Sequence, residues 1–320
     1  MKSPHKMMFF TILLSSTLIV ISSPSWMAMW IGLEINLLSF IPLMKEKNNS
    51  LSSESIIKYF IVQALASTIL MFSLLNPFLN QKLIISIPLF IKLGLMPFHF
   101  WYPMIMEGIS WMNCLILLTW QKISPMIILS YLDLNLITTT LVMITNLMSS
   151  MLSMNFSSLR KVMTFSSLNN LSWMIPLMFI SKPMWMIYLT VYSIVSSSII
   201  ILLKSMNISF MNQLFYLKLK FKWNIMMMVS FLSLAGLPPF LGFIPKWISI
   251  QEMISSNLFI LTTSYLISTL ILIFSYSRLM ISSLLLINNE KSWNKCYFYN
   301  YTKFSMLNLF MIIPWTILLT

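Results

Sequence analysis

Four charged side chains lie inside segments that otherwise consist of apolar residues: Glu34, Lys92, Lys122 and Lys246. A charge near the centre of a bilayer costs about 2.5–3.5 kcal/mol for Lys or Asp on the scale of helix insertion. Such a residue persists where it faces a protein interior, a water-filled path or another charge. The four residues therefore predict an ion or proton route through a membrane.

Lysine and glutamate suit such a route because each changes the charge state of the other. Burial favours the neutral form of lysine, whereas a nearby carboxylate favours the charged form. A Glu–Lys pair therefore has two arrangements of similar energy, and moving the proton or the partner switches between them. A static ion pair between Glu34 and Lys92 is the alternative, but it leaves Lys122 and Lys246 unexplained.

His99 is a further candidate, since it follows a Gly/Pro-interrupted stretch in Pro97-Phe98-His99-Phe100-Trp101. A histidine can shuttle protons near neutral pH. As a lone histidine beside Trp101 and Tyr102, it is equally well interpreted as a residue of the membrane interface.

Composition places the chain among polytopic membrane proteins. Apolar residues make up 58% of its 320 residues and charged residues 8%, against about 25% charged in soluble domains. The net charge of +13 is spread over several loops without a dense basic run, so no nucleic-acid binding is expected. Cys114 and Cys296 form no CxxC pair, which excludes an iron–sulfur or zinc site built from this chain alone.

Cofactor motifs are also missing from the sequence. It contains no GxGxxG or Walker A motif, and its two histidines, His5 and His99, do not suit paired haem ligation. We therefore expect no cofactor bound by this chain, and the energy for transport must come from an ion gradient or a partner.

Apolar windows of about 20 residues predict eleven membrane-spanning helices. They lie at 5–23, 24–44, 55–75, 83–103, 109–131, 134–154, 162–181, 184–204, 224–256, 258–285 and 304–320. Because these windows fill nearly the whole chain, we expect one all-α membrane domain over 1–320. The first apolar run resembles a signal peptide, but no small-x-small cleavage pattern follows, which favours a retained helix.

The distribution of basic residues predicts the orientation. With eleven spans, thirteen of the twenty Lys and Arg residues fall on the face shared with the N-terminus, and Lys82 and Lys182 fall on the other. The positive-inside rule then puts the N-terminus in the negatively charged compartment. Lys58 and Arg278 lie near the ends of spans, and we expect their side chains to reach the membrane surface.

An internal repeat is visible at two Gly/Pro interruptions, 94–98 (Gly-Leu-Met-Pro-Phe) and 236–240 (Gly-Leu-Pro-Pro-Phe), each with a lysine close by. They fall in the fourth span of two five-span units, 5–131 and 134–285, followed by a C-terminal helix at 304–320. Since five is odd, the units would enter the membrane in opposite directions, as in transporters with inverted repeats and broken helices. Two unrelated proline kinks are the alternative.

Several of these segments together resemble a known family, the antiporter-like subunits in the membrane arm of respiratory complex I, the NADH:ubiquinone oxidoreductase. The resemblance covers most of the chain in order. The segments are Trp30-Ile31-Gly32-Leu33-Glu34-Ile35-Asn36, Ile57-Lys58-Tyr59-Phe60, Lys92-Leu93-Gly94-Leu95-Met96-Pro97-Phe98-His99-Phe100-Trp101, Trp120-Gln121-Lys122 and Leu234-Ala235-Gly236-Leu237-Pro238-Pro239-Phe240.

The resemblance implies a fold of two inverted five-helix units and a set of roles. Glu34 would pair with Lys92 of the first broken helix, Lys122 would connect the two half-channels, and Lys246 would lie towards the exit. Protons would move through these groups and water, driven by quinone reduction elsewhere. His99 departs from the family pattern because it lies beside aromatic residues and not midway between lysines.

The resemblance also implies the surroundings of the chain. NADH, FMN, iron–sulfur clusters and ubiquinone would be bound by partner subunits, and the partners would be other membrane-arm subunits and phospholipid. The location would be the mitochondrial inner membrane, with the N-terminus in the matrix and the C-terminus in the intermembrane space. The Met-rich, Gly-poor composition is similar to arthropod versions, although an AT-rich bacterial genome also produces such a composition.

Two other functions are compatible with the residues. One is a cation/proton antiporter subunit of related architecture. The other is a structural membrane subunit that binds lipid and neighbouring proteins but transports nothing.

Overall fold

The computed structural model describes residues 4–46, 49–75, 81–133, 135–216 and 221–285, and within these ranges the chain is nearly all helical, with no β-strand. The predicted span 304–320 and Cys296 lie outside the described residues. The helices are α1 (Pro4–Ser22), α2 (Trp26–Met44), α3 (Ser50–Leu75), α4 (Gln81–Leu93), α5 (Trp101–Gly108), α6 (Trp111–Leu118), α7 (Trp120–Leu129), α8 (Leu136–Asn155), α9 (Leu159–Ile180), α10 (Lys182–Met206), α11 (Met211–Tyr216), α12 (Phe221–Ala235), α13 (Phe243–Ser255) and α14 (Phe259–Leu285).

Within the described part, seven helical segments are long and apolar enough to cross a membrane, one of them comprising α6 and α7 together. The prediction of an all-α polytopic membrane protein is thus confirmed, whereas the count of eleven spans stays a prediction. Three local details differ from the predicted bounds of the spans. The span at 109–131 is interrupted at Thr119, α5 continues to Gly108, and the short helix α11 was not expected.

The chain divides into two compact units, residues 1–145 and 146–320, with the boundary inside α8. In the first unit, α1 packs closely on α2 at Gly32, where a Cβ would lie 2.6 Å from Val20 Cγ2. Helix α3 packs on α4 and α5, and α7 packs on α1, α2 and α4. In the second unit, α9 and α10 pack on each other and on α13, and α14 packs on α12 and α13.

Contacts between loop ends within the first unit agree with the predicted alternation of its spans. Lys6 Nζ donates a hydrogen bond to the Lys45 carbonyl, 3.2 Å away, so the start of α1 lies beside the end of α2. Lys82, at the start of α4, forms an ion pair with Asp133, after α7. Each pair joins two chain ends that the predicted spans put on one face.

The two basic residues near span ends, Lys58 and Arg278, have exposed side chains, and that they reach the membrane surface stays a prediction. Lys58 forms an ion pair with Glu54, one turn earlier in α3. Arg278 in α14 donates from Nη2 to the Met154 carbonyl at the end of α8, 2.7 Å away. An exposed ion pair such as that of Lys58 and Glu54 contributes little to stability.

The first interruption ends α4 in a Schellman motif. Gly94 adopts the left-handed conformation with φ +74°, and the Leu95 amide donates to the Phe90 carbonyl at 3.0 Å. A residue without Cβ is favoured at this position because the left-handed conformation is strained for other residues. The following Met96–Pro97 peptide is cis. The chain then re-enters a helix at Trp101.

The second interruption, in the second unit, has the same local backbone. Gly236 has φ +79° and ends α12, and the Pro238–Pro239 peptide is cis. The Leu237 amide donates to the Leu232 carbonyl at 3.4 Å, which completes a second Schellman motif. The repeated sequence motif is therefore a repeated backbone structure in which a helix stops and a new one begins.

Helix α9 is polar and yet buried over almost its whole length, from Leu159 to Met178. Its hydroxyl groups bond back to their own helix, as in Ser166 Oγ to the Met163 carbonyl and Ser167 Oγ to the Thr164 carbonyl. These serines are thereby satisfied without a water path.

Candidate functional site

Two of the predicted lysines line one cavity in the first unit. The cavity has a volume of about 30 Å³, which is room for about two water molecules when roughly 10–15 Å³ holds one. Lys92 is 7% exposed and Lys122 6% exposed. Their remaining neighbours in the wall include both amide and aromatic side chains. The wall consists of Leu33, Asn36, Leu37, Tyr59, Gln63, Lys92, Leu93, Trp101, Tyr102, Leu117, Gln121, Lys122 and Pro125.

Lys92 lies in the last turn of α4, directly before the first break. A helix end leaves carbonyls without intrahelical partners, and side chains satisfy two of them here. Gln63 Nε2 donates to the Lys92 carbonyl at 3.3 Å, and Trp101 Nε1 donates to the Ile91 carbonyl at 3.1 Å. These bonds hold the broken end of α4 and thereby fix where the Lys92 side chain begins.

Lys122 projects from the first turn of α7 and lies over the ring of Tyr102, with Nζ 5.7 Å from the ring centroid. Pro125, three residues later, also lines the cavity. Since a proline has no amide proton, the carbonyl one turn before Pro125, that of Gln121, receives no bond from it. Gln121, Lys122 and Pro125 of α7 all line the cavity.

Glu34 is half-buried in α2. Its carboxylate is close enough to interact through space with Lys92 and Tyr59. In the part of the chain that the structure describes, no Glu34–Lys92 ion pair within 4 Å occurs. The static ion pair considered as an alternative is therefore not formed in this conformation.

Two amides join the helices that carry Glu34 and Lys122. Gln121 Nε2 donates to Asn36 Oδ1 at 3.1 Å. Asn36 is two residues after Glu34 on α2, and Gln121 directly precedes Lys122 on α7. The bond therefore fixes the separation of the glutamate-bearing and lysine-bearing segments.

Lys246 belongs to the second unit, on α13, and is 6% exposed. Its Nζ donates to the carbonyl of Ala235, the last residue of α12, at 2.6 Å. A cation at a helix C-terminus is favoured by the partial negative charge there. Lys246 thus crosses the second break and caps the helix that precedes it.

His99 lies in the turn between α4 and α5. It is buried, its Nδ1 is 3.3 Å from the Pro97 carbonyl oxygen, and its ring centroid is 4.2 Å from that of Phe100. It is not among the residues that line the lysine cavity. The expected aromatic surroundings of His99 are present, and a role in proton transfer stays a prediction.

A polar cluster in the second unit surrounds Asn146. Its Oδ1 accepts from Asn169 Nδ2 at 2.5 Å, Ser172 Oγ at 3.2 Å and Ser268 Oγ at 2.9 Å. Tyr265 donates to the Ser172 carbonyl at 2.5 Å. These bonds tie α8, α9 and α14 together. These bonds involve amide, hydroxyl and carbonyl groups and no lysine or carboxylate. We therefore interpret the cluster as a set of hydrogen bonds that stabilises helix packing.

Metal chemistry has no visible site in the described ranges, where no cluster of three or more His, Cys, Asp and Glu residues is found. Tyr102 lines the cavity and contacts Lys122, and the sequence did not single it out as functional. An aromatic residue in an apolar window carries no distinguishing signal, and the contact with Lys122 depends on how α5 folds back after the break. Asn36, Gln63 and Gln121 are polar residues within the apolar windows 24–44, 55–75 and 109–131.

The fold is that of an antiporter-like membrane subunit. The sequence matches the profile of the NADH:quinone oxidoreductase/Mrp antiporter transmembrane family over residues 23–82 and 76–272. A chain of respiratory complex I from Thermus thermophilus has the same fold, with a TM-score of 0.87 and 17% identity over 100% of this chain and 81% of that chain. A chain of the Mrp complex from Dietzia sp. DQ12-45-1b also has this fold, with a TM-score of 0.80 and 12% identity. The match covers 97% of this chain and 75% of that chain.

Relatives of high identity then define the particular family. NADH-ubiquinone oxidoreductase chain 2 of Anopheles gambiae is 44% identical over 92% of this chain and 90% of the relative. The chain 2 protein of Locusta migratoria is 40% identical over 90% of this chain and 88% of the relative. That of Canis lupus familiaris is 36% identical over 100% of this chain and 97% of the relative. The chain belongs to the NADH-ubiquinone oxidoreductase chain 2 family, the proton-translocating, antiporter-like membrane subunits of respiratory complex I.

Proposed function

We propose that this subunit moves protons through Lys92, Lys122 and Lys246, with Glu34 controlling the charge of Lys92. One observation carries the proposal: Lys92 and Lys122 come from different helices and line the same small, polar cavity. Two like charges in a confined, weakly hydrated space repel each other. One of the two lysines is therefore expected to be neutral at a time, which makes the pair a donor and an acceptor.

Transfer within the cavity would use water, because the lysines lie on separate helices. A water molecule between the two Nζ atoms accepts a proton from the charged lysine and donates one to the neutral lysine. The Gln63, Gln121 and Asn36 amides and the Tyr59 and Tyr102 rings hold the walls around it. The direction of transfer follows the Glu34 carboxylate, since its approach to Lys92 favours the ammonium there and its withdrawal favours release.

Lys246 would exchange its proton at the second break. Its ammonium bonds the Ala235 carbonyl, and this bond weakens when the amine is neutral. Loss of the proton would therefore free both the side chain and the end of α12. His99 is proposed as a minor participant, since its ring lies near the first break but outside the cavity lining.

The energy would come from quinone reduction in other complex I subunits. NADH, FMN, iron–sulfur clusters and ubiquinone are assigned to those partners, and this chain contributes proton transfer alone. The N-terminus would face the matrix and the C-terminus the intermembrane space of the mitochondrial inner membrane, because most basic residues share the face of the N-terminus. Phospholipid would cover the exposed apolar faces.

Substitution of the cavity lysines tests the proposal in the assembled complex. Lys92→Met and Lys122→Met keep the apolar stem and remove the amine. We expect each to lower NADH-driven proton pumping in membrane vesicles by at least about tenfold, since a positioned proton-transfer group contributes about 10²–10⁴-fold. Lys82→Met is the matched control, because Lys82 is exposed on the same helix as Lys92 and pairs with Asp133.

The same experiment separates the other functions. A structural subunit predicts that both variants keep the proton-to-electron ratio of the wild type once assembled. A cation/proton antiporter predicts that pumping depends on the sodium or potassium concentration. Either result contradicts the proposed route.

A further inference from the structure

Tyr102 contributes the aromatic ring that faces Lys122 in the lysine cavity. We propose that Tyr102 is a positioning residue: its ring holds the Lys122 ammonium at the cavity and extends the pH range over which Lys122 carries a proton. The inference rests on the proposed function, because it concerns the same cavity and the same proton.

The geometry is that of a cation–π contact. Lys122 Nζ lies over the Tyr102 ring at 5.7 Å from its centroid, and a cation within about 6 Å of an aromatic ring is attracted by the negative face. Tyr102 is 2% exposed and Lys122 6% exposed. The attraction is stronger in such a site than at a surface because water competes less for the ammonium.

The ring is held by the first break. Tyr102 lies in the first turn of α5, and its ring lies 5.2 Å from that of Trp101, centroid to centroid. Trp101 is in turn bonded to the Ile91 carbonyl of α4. A Cβ on Gly94 would lie 3.4 Å from Tyr102 Cβ, an ordinary van der Waals distance, so the break and the start of α5 are in direct contact. The break therefore positions both Lys92 and the ring that faces Lys122.

This arrangement couples the two lysines mechanically. A movement of the break that shifts Lys92 also shifts Tyr102, and the ammonium of Lys122 then loses or regains its contact. A neutral Lys122 gains nothing from the ring face. The position of the break is therefore expected to favour the charged or the neutral form of Lys122.

Other titratable groups in the first unit bear on the pH dependence of Lys122. The other helices of the first unit contribute them, and α7 itself contributes no other charged side chain. The groups are Glu34 on α2, Tyr59 on α3, Lys92 on α4, Tyr102 and Glu107 on α5, Cys114 on α6, and His5 and Lys6 in the first turn of α1. None of them is altered in the comparison below except Tyr102.

The test compares Tyr102→Phe with Tyr102→Leu in the assembled complex. Phenylalanine keeps the ring, whereas leucine keeps apolar bulk and removes it. The measurement is the proton-pumping rate in vesicles between about pH 6 and 10, normalised to the maximum of each variant. Normalisation makes the shape of the pH profile independent of how much complex each variant assembles. Tyr131→Leu is the matched control, since Tyr131 is 51% exposed and outside the cavity.

We expect the alkaline limb of the Tyr102→Leu profile to move to lower pH by about one pH unit. The sign follows because the ring stabilises the charged form, so its removal makes Lys122 lose its proton at lower pH. Tyr102→Phe and Tyr131→Leu should match the wild type.

Two results overturn the inference. An unchanged Tyr102→Leu profile means that the ring does not hold the ammonium, and an equal shift in Tyr102→Phe assigns the effect to the hydroxyl group. The proposed function has its own test: it is contradicted if the Lys122→Met complex pumps protons at the wild-type rate. If Lys122→Met stops pumping while Tyr102→Leu keeps the wild-type profile, the inference about Tyr102 alone fails.

Discussion

At the scale of single residues, the lysines differ in how the protein holds them. Lys92 and Lys122 face a shared cavity, whereas Lys246 bonds directly to the Ala235 carbonyl. The sequence identified all three because a charge in an apolar segment is conspicuous. It did not show which of them would meet, since contacts between helices depend on packing and not on spacing along the chain.

Replacing Lys246 tests its structural bond. Lys246→Met leaves the buried Ala235 carbonyl without its donor, which costs about 1–3 kcal/mol. We expect faster amide hydrogen exchange around Gly236 and Leu237 at the end of α12. Lys204→Met, at an exposed lysine in the last turn of α10, is the control. Unchanged exchange in Lys246→Met would show that the bond does not hold this helix end.

The amide pair between Asn36 and Gln121 gives a second residue-scale prediction. Asn36→Leu and Gln121→Met each remove one partner of the 3.1 Å bond. Because each single change removes the partner of the other amide, which is buried at Asn36 and half-buried at Gln121, the double variant should be less destabilised than the sum of the two, by about 0.5–1.5 kcal/mol. Thermal denaturation of the assembled complex measures this coupling, and additive effects would argue against it.

At the scale of elements, the two interruptions share backbone conformation and hydrogen bonding. The sequence predicted both, because Gly and Pro recur there in the same register. The side-chain contacts of the two lysines at the breaks were not predictable in this way. Lys92 precedes Gly94 on the first half-helix, but Lys246 comes ten residues after Gly236 and reaches back from the second half-helix.

The glycines of the breaks should therefore respond differently to substitution. Ala at either position adopts the left-handed conformation, at a cost of about 1–2 kcal/mol. At Gly236 the added Cβ would also lie 2.7 Å from Lys246 Cδ, whereas the nearest contact at Gly94 is 3.4 Å. We expect Gly236→Ala to lower the thermal stability of the complex more than Gly94→Ala and to impair pumping by displacing Lys246.

The comparison has an internal control in Ser255→Ala, at an exposed position of α13. Equal losses of stability in Gly236→Ala and Gly94→Ala would contradict the contact between Gly236 and Lys246.

At the scale of the whole molecule, apolar windows placed most helices to within a few residues. The interruption at Thr119 was missed because no Gly or Pro marks it. The Thr119 hydroxyl bonds back to the Leu115 carbonyl at 2.8 Å, a bond that often bends helices. The relation between the inverted units, 5–131 and 134–285, stays a prediction from the repeat.

The orientation of the chain is testable by labelling. Lys45→Cys and Asp133→Cys introduce thiols at exposed positions that the predicted spans place on opposite faces. We expect a membrane-impermeant maleimide to label Asp133→Cys from the intermembrane-space side and Lys45→Cys from the matrix side, because the face of the N-terminus carries most basic residues. Labelling of Lys45→Cys from the intermembrane-space side and of Asp133→Cys from the matrix side would contradict the predicted orientation.

The shared cavity of Lys92 and Lys122 is the central claim, and a map of the assembled complex that resolves ordered water tests it most directly. The predicted result is ordered water between the two Nζ atoms, within hydrogen-bond distance of each. A cavity closed by side chains or filled by an acyl chain, in a map where other buried waters are visible, would contradict proton transfer between Lys92 and Lys122.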